Sequence, residues 1–254
     1  MSINVEFAWI VSVYLLSVRL SALFLMSPIF SGMSDFTIVR TLFTIALATM
    51  LAAGLHLQPS ISSMGIGALI GATVSELFIG AVLAFGVHAA FGAFSVAGKI
   101  LDIQTGFGLG SVFDPITRTD APIFSTALNL LAVAVFFGMD GHHAFLRGIA
   151  FSAQQIPPGA GFSAAAAEAM LRQFGLMFSL GVALIAPVMF CLFLVDVGLA
   201  VVSRVLPQMN VFIVSMPVKI VAGTTIFALT IGAMGPAMSR IYASIFNYWE
   251  QVLQ

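Results

Sequence analysis

The chain has 254 residues, of which 60% are hydrophobic and only 7% are charged. Its mean hydropathy is +1.11, which excludes an ordinary soluble domain and indicates a protein of the lipid bilayer. Nine basic residues are balanced by ten acidic ones, so the chain has no surplus of positive charge with which to bind a nucleic acid. The single cysteine, Cys191, cannot form an internal disulfide.

Six apolar stretches predict membrane helices: 7–30, 41–57, 61–98, 121–139, 173–203 and 211–238. As a helix, the third would be about 57 Å long against about 30 Å of hydrocarbon, so it cannot be one ordinary span. The fifth contains Pro187, and the sixth contains Pro217 and Pro236. Broken helix in lipid is tolerated only where protein or water covers the freed backbone groups. We therefore predict an all-α protein of kinked helices and tight helical hairpins that pack against other subunits.

Glycine recurs every six residues in the third stretch, at positions 80, 86, 92 and 98. Small residues let a neighbouring helix come close. For this glycine period alone, however, we favour the small-residue content that any membrane helix has.

Residues 140–172 form a segment between apolar stretches that looks water-exposed. Pro157-Pro158-Gly159 predicts a turn, and the alanine-rich run with Glu168 and Arg172 four residues apart predicts a helix. We interpret the segment as a water-exposed connector and assign it no chemistry.

Four charged residues lie inside apolar stretches: Arg19, Glu76, Asp196 and Lys219. An ionised group there costs about 2.5–3.5 kcal/mol, so each must be compensated. One interpretation is an ion or proton pathway, and the other is a set of ion pairs across helices or subunits. Because there are two charges of each sign, we favour pairing, although the sequence does not say which residues pair.

No enzyme motif is present: the sequence lacks G-x-S-x-G, H-E-x-x-H and a phosphate-binding glycine loop. Asp102 and Asp196 could be nominated as an intramembrane protease pair, but neither has the surroundings of that class. His142 and His143 are adjacent, and adjacent helical residues point about 100° apart, which argues against a metal site. We predict no catalytic residue, no metal and no cofactor.

Polar and conformationally free residues gather in 97–122. Asp114 followed by Pro115 is typical of a helix start. Gly106, Gly108 and Gly110 alternate with bulky apolar residues, which makes a backbone that bends easily and side chains that seek apolar contacts. This pattern predicts a mobile gate or plug that fits into a protein cavity.

Three long segments carry a family resemblance: "AGKILDIQTGFGLGSVFDP" (97–115), "GHHAFLRGIAFSAQQIPPG" (141–159) and "SRVLPQMNVFIVSMPVKI" (203–220). With shorter matches at 17–32, 75–86 and 186–204, they closely resemble the FliR/SctT family of export-gate proteins in flagellar and virulence type III secretion. One departure is the absence of the proline that usually precedes the basic residue matching Arg40.

The resemblance implies a FliP-like part (about 1–172) followed by a FliQ-like part (173–254). Such chains assemble with FliP-like and FliQ-like subunits and a FlhB-like switch protein in the bacterial inner membrane. Within the flagellar basal body, part of the gate rises toward the periplasm, and its pore passes unfolded proteins. The matching loop plugs the pore, which assigns closure to Gly106, Phe107, Gly108, Leu109, Gly110, Ser111, Val112, Phe113 and Asp114.

Two alternatives stay open. Virulence use is possible in place of flagellar use, which we favour. A different class is a self-contained secondary transporter with Glu76, Asp196 and Lys219 as coupling groups, but such proteins usually carry internal inverted repeats, and we find none in the sequence.

Overall fold

The computed structural model describes residues 7–28, 37–60, 65–107, 122–161, 166–206, 208 and 210–253. All regular structure in these ranges is helical, which confirms the predicted all-α membrane class. In chain order the helices are α1 (Phe7–Met26), α2 (Thr37–Gly54), α3 (Ile66–Thr105), α4 (Ile123–Gly138), α5 (Gly141–Gln155), α6 (Ala166–Val205), α7 (Val211–Thr230), a 3₁₀ turn (Ile231–Met234) and α8 (Gly235–Leu253).

Five helical stretches in the described ranges are long and apolar enough to cross a membrane, or six if α4 and α5 form one broken span. Helices α3 and α6 each have 40 residues. At about 1.5 Å per residue each is about 60 Å long, roughly twice the hydrocarbon thickness. Part of each helix therefore lies outside the apolar layer or is covered by protein.

The prolines of the last two apolar stretches differ in effect. Helix α6 continues through Pro187 and α7 through Pro217, so neither proline reverses the chain. The helix type changes at the 3₁₀ turn, after which α8 begins at Gly235 and Pro236. Proline is tolerated there because the first turn of a helix does not need its N–H.

The chain forms two compact units. The first unit consists of residues 1–89, 139–174 and 243–254, and the second of residues 90–138 and 175–242. The predicted boundary near residue 172, between a FliP-like and a FliQ-like part, remains a prediction.

The first unit has its core between α1, α3, α5 and α8. Leu20 and Phe24 of α1 and Ile79 of α3 are at most 1% exposed. Trp249 of α8 donates its Nε1–H to the Leu83 carbonyl at 2.9 Å, and its ring lies 5.5 Å from the ring of Phe145. These contacts hold α8 against the middle of α3 and against α5.

Helix α5 corrects the interpretation of 140–172 as a water-exposed connector. Phe145, Ile149, Ser152 and Ala153 of this helix are buried. They recur at intervals of three and four residues, which places them on one helical face. Because polar residues surround these buried ones, we interpreted as a connector what is an amphipathic helix in the core of the first unit.

The second unit is centred on an aromatic cluster. The ring of Tyr242 lies 5.6 Å from that of Phe94 and 5.5 Å from that of Phe136. Its hydroxyl donates to the Ala132 carbonyl at 2.6 Å, so the polar end of this buried ring is satisfied.

The glycine period proves to be structural, and our preference for generic small-residue content was wrong. A Cβ on any of the four glycines would lie within 2.8 Å of a neighbouring atom, too close for van der Waals contact. These atoms are Ala22 Cβ for Gly80, Tyr248 Cε1 for Gly86, Met177 Sδ for Gly92 and Ser125 N for Gly98. Gly80 and Gly98 therefore mark close approaches to the backbone of a neighbouring helix, whereas Gly86 and Gly92 make room for the side chains of Tyr248 and Met177, each within its own unit.

Candidate functional site

Arg19 and Glu76 form an ion pair inside the first unit. Arg19 Nε lies 2.6 Å from Glu76 Oε2, and Nη2 lies 3.0 Å from Oε1. The two side chains are 1% and 0% exposed. Two parallel N–H···O bonds of this kind are the strongest geometry that an arginine and a carboxylate adopt.

The remaining donors of Arg19 are also used. Its Nη1 donates to the carbonyl and to the hydroxyl of Ser152, both at 3.0 Å. Its Nη2 donates to the Ile156 carbonyl at 2.9 Å. A guanidinium has five N–H groups, and these contacts together with the Glu76 bonds occupy all five.

Glu76 receives one further bond from the turn after α5. The Gly159 N–H donates to Oε1 at 2.8 Å, and Gly159 has a φ of 85°. This left-handed conformation favours glycine, which explains why the Pro-Pro-Gly turn ends in this residue. The turn was visible in the sequence, but its role as a partner of a buried charge was not.

Asp196 and Lys219 form the second pair, within the second unit. Lys219 Nζ lies 2.5 Å from Asp196 Oδ1 and joins α7 to α6. This pair is not sealed: the Asp196 side chain is 40% exposed and that of Lys219 is 22% exposed. The structure thus brings the four charges together as one enclosed pair and one pair open to its surroundings.

Asp102 holds the start of α4 against the end of α3. Its carboxylate accepts the backbone N–H of Phe124 at 2.9 Å and that of Ser125 at 3.0 Å, and also the Ser125 hydroxyl at 2.6 Å. The residue is 1% exposed. Free N–H groups at a helix N-terminus favour a carboxylate, which explains this buried charge. The sequence had offered Asp102 only as a rejected protease candidate.

Two residues of the predicted plug lie in the described ranges. Gly106 follows the last residue of α3 with a φ of 95°, and its N–H donates to the Ile103 carbonyl at 3.2 Å. The ring of Phe107 lies 5.9 Å from that of Phe124. The other seven plug residues, 108–114, lie outside the described residues.

Membrane-length helices joined by internal ion pairs define the chain as a multi-span helical membrane protein. A profile of the family described as "Bacterial export proteins, family 1" matches residues 10–245. The chain belongs to this family, which confirms the FliR/SctT resemblance read from the motifs. Its members serve protein export and are not enzymes, as the sequence predicts.

Individual relatives are named as flagellar biosynthetic proteins and as a surface presentation of antigens protein. The chain is 30% identical over 210 residues to the flagellar biosynthetic protein FliR of Bacillus subtilis, covering 81% of this chain and 80% of the relative. It is 26% identical over 248 residues to FliR of Pectobacterium carotovorum, covering 96% and 94%. It is also 34% identical over 144 residues to the surface presentation of antigens protein SpaR of Shigella sonnei, covering 57% and 56%.

Proposed function

We propose that the chain is a subunit of the inner-membrane export gate of a flagellar type III secretion system. With FliP-like and FliQ-like subunits it forms the pore for unfolded flagellar proteins, and a FlhB-like switch protein associates with it. Residues 106–114 close the pore at rest. Family membership supports the export role, and the partners follow from the resemblance.

The open ion pair is the observation that carries the proposed assembly. Asp196 and Lys219 are partly exposed on α6 and α7, and both helices also expose large apolar side chains. Phe190 and Val201 of α6 are 62% and 58% exposed, and Val221 of α7 is 65% exposed. Lipid covers such apolar side chains well, but it solvates an exposed ion pair poorly. Helices of partner subunits can cover the apolar surface and also supply polar groups to the pair.

The anchoring of α4 supports the plug assignment. Because Asp102 accepts N–H groups from the first turn of α4, the end of α3 and the start of α4 are held next to each other. Gly106, the first residue after α3, has a left-handed backbone conformation, and this conformation ends the helix at Thr105. A plug needs a fixed base from which to move, and this carboxylate provides one.

The transporter alternative meets an obstacle at Glu76. Both oxygens of this carboxylate are engaged by Arg19, and Oε1 also accepts the Gly159 N–H. A coupling group must exchange protons or ions during transport, whereas this one is fully paired. Asp196 and Lys219 do not share this enclosure, so the alternative rests on them alone.

Deleting residues 106–114 should make the assembled gate leak ions, because the apolar side chains that seal the pore are lost. The measurement is the ion conductance of membranes that contain the gate, with assembly verified by co-purification of the subunits. A replacement of equal length made of glycine and serine should leak as well, since it restores length but not apolar contact. Unchanged conductance in both assembled variants would argue against the sealing role.

A further inference from the structure

A cluster of possible metal ligands stands at the start of α5, in the first unit and apart from both ion pairs. It consists of Asp140, His142 and His143, and we call it the α5 cluster. One ligand atom from each residue lies within 4.8 Å of the ligand atoms of the other two. Nothing in the export proposal uses these side chains.

The left-handed backbone conformation of Asp140 places its side chain next to the first turn of α5. Asp140 has a φ of 57°, and its carbonyl accepts the N–H of His143 at 3.0 Å and that of Ala144 at 3.3 Å. The left-handed conformation costs energy for a residue with a side chain, although aspartate tolerates it better than most. As a result Asp140 Oδ1 lies 3.4 Å from His143 Nδ1.

This distance is longer than most hydrogen bonds, and it is also compatible with two ligands of one ion. Hydrogen bonds from nitrogen to oxygen are mostly about 2.7–3.2 Å long. Zinc binds histidine nitrogen and carboxylate oxygen at about 2.0–2.2 Å in tetrahedral geometry, so two such ligands of one ion lie about 3.3 Å apart. The pair formed by Asp140 and His143 thus already has the spacing of one edge of a zinc tetrahedron.

His142 supplies the third ligand. Adjacent helical residues are expected to point apart, yet the imidazole rings of His142 and His143 lie side by side with their centroids 4.1 Å apart. One ligand atom of each residue lies within 4.8 Å of the other two, so binding of one ion requires the three side chains to rotate toward one another. Asp140 and His143 are exposed, so solvent can reach the ion and complete its coordination.

We propose that the α5 cluster binds one divalent transition-metal ion of the zinc type. Two imidazoles and one carboxylate suit zinc, cobalt and nickel, and they suit calcium and magnesium poorly because those ions prefer oxygen ligands. The carboxylate also offsets the positive end of the helix, which alone would repel a cation. A bound ion would fix the first turn of the helix that presents Ser152 to Arg19.

The test is a zinc titration of the full chain in detergent, purified without a histidine tag. Zinc is measured by competition with a chromophoric chelator, and cobalt by the visible bands of the four-coordinate ion. We expect one ion per wild-type chain and affinity at least about tenfold weaker in Asp140→Asn and in His143→Ala. His88→Ala is the matched control, because it removes an exposed histidine of the same unit and should leave the affinity unchanged.

Zinc should also raise the unfolding temperature of the wild type, followed by tryptophan fluorescence, and not that of the two cluster variants. The same fluorescence verifies that each variant is folded, and His143→Gln replaces His143→Ala if that variant is not. Absence of saturable binding to the wild type would overturn the proposal. Wild-type affinity in either cluster variant, or an equal loss in His88→Ala, would overturn it too.

Discussion

Replacing Arg19 by alanine should lower the free energy of unfolding of the first unit by about 3–5 kcal/mol, the usual cost of removing one partner of a buried ion pair. The variant leaves Glu76 buried with the Gly159 N–H as its remaining bond in the network. It also removes the donors that satisfy the carbonyls of Ser152 and Ile156. Both tryptophans, Trp9 and Trp249, belong to the first unit, so their fluorescence during denaturation in detergent measures this loss.

Two further variants show whether burial is the cause. The double replacement Arg19→Met with Glu76→Leu removes both charges at similar volume, and it should destabilise the unit less than Arg19→Ala does. Arg172→Ala breaks the exposed pair with Glu168, which spans 3.1 Å, and should change stability little because water screens that pair. A melting curve of Arg19→Ala that matches the wild type would refute the assigned network.

Gly98→Ala should destabilise the second unit by about 1–3 kcal/mol, since it forces an atom into a packed contact. The new Cβ would overlap the Ser125 backbone, lying 2.7 Å from its nitrogen and 3.0 Å from the Phe124 carbonyl carbon. Backbone atoms cannot rotate away, so α3 and α4 must separate there. Separation also stretches the bonds from Asp102 to the start of α4.

Gly198→Ala is the matched control, because a Cβ at this position of α6 meets nothing within 4 Å. This variant should be as stable as the wild type or up to about 1 kcal/mol more stable, from helix propensity alone. Cys191, the single cysteine, is half-buried in the same unit, so its reaction with a thiol-sensitive dye on heating reports the unfolding of that unit. Equal effects of the two replacements would show that α3 and α4 are not in close contact at Gly98.

The helical class and the presence of charged residues inside apolar stretches could be predicted from the sequence, because both depend on the composition of a single segment. The partners of the charges were not readable. Arg19 and Glu76 are 57 positions apart, and the arginine is completed by backbone carbonyls, which carry no residue-specific signal. Charge sign alone allows two ways to pair the four residues, and only the fold selects between them.

Helix α5 and the glycines show a second limit. Polar residues led us to place 140–172 in water, yet Phe145, Ile149 and Ser152 are spaced to share one buried face. The interval from Gly80 to Gly98 was regular but was given no weight, since glycine is common in membrane helices. In both α5 and the glycine series, the regular spacing of residues indicated packing contacts that the average composition of the segment does not indicate.

The central claim is that this chain completes its fold and function only among partner subunits around a pore. The claim rests on the large apolar side chains that α6 and α7 expose and on the open pair of Asp196 and Lys219 on the same two helices. Lipid and detergent cover the apolar side chains but do not solvate the ion pair. Helices of partner subunits can cover the apolar side chains and also supply polar groups to the pair.

The most direct test is to express the chain in bacterial membranes alone and together with the FliP-like and FliQ-like proteins of its own system, and to compare the purified species by size and composition. Our account predicts one stable complex that contains all three proteins, and a chain that, when purified alone, can be kept folded in detergent but unfolds at a lower temperature and aggregates faster than it does in the complex. A monodisperse, stable chain that purifies alone and does not bind the other two proteins would contradict it.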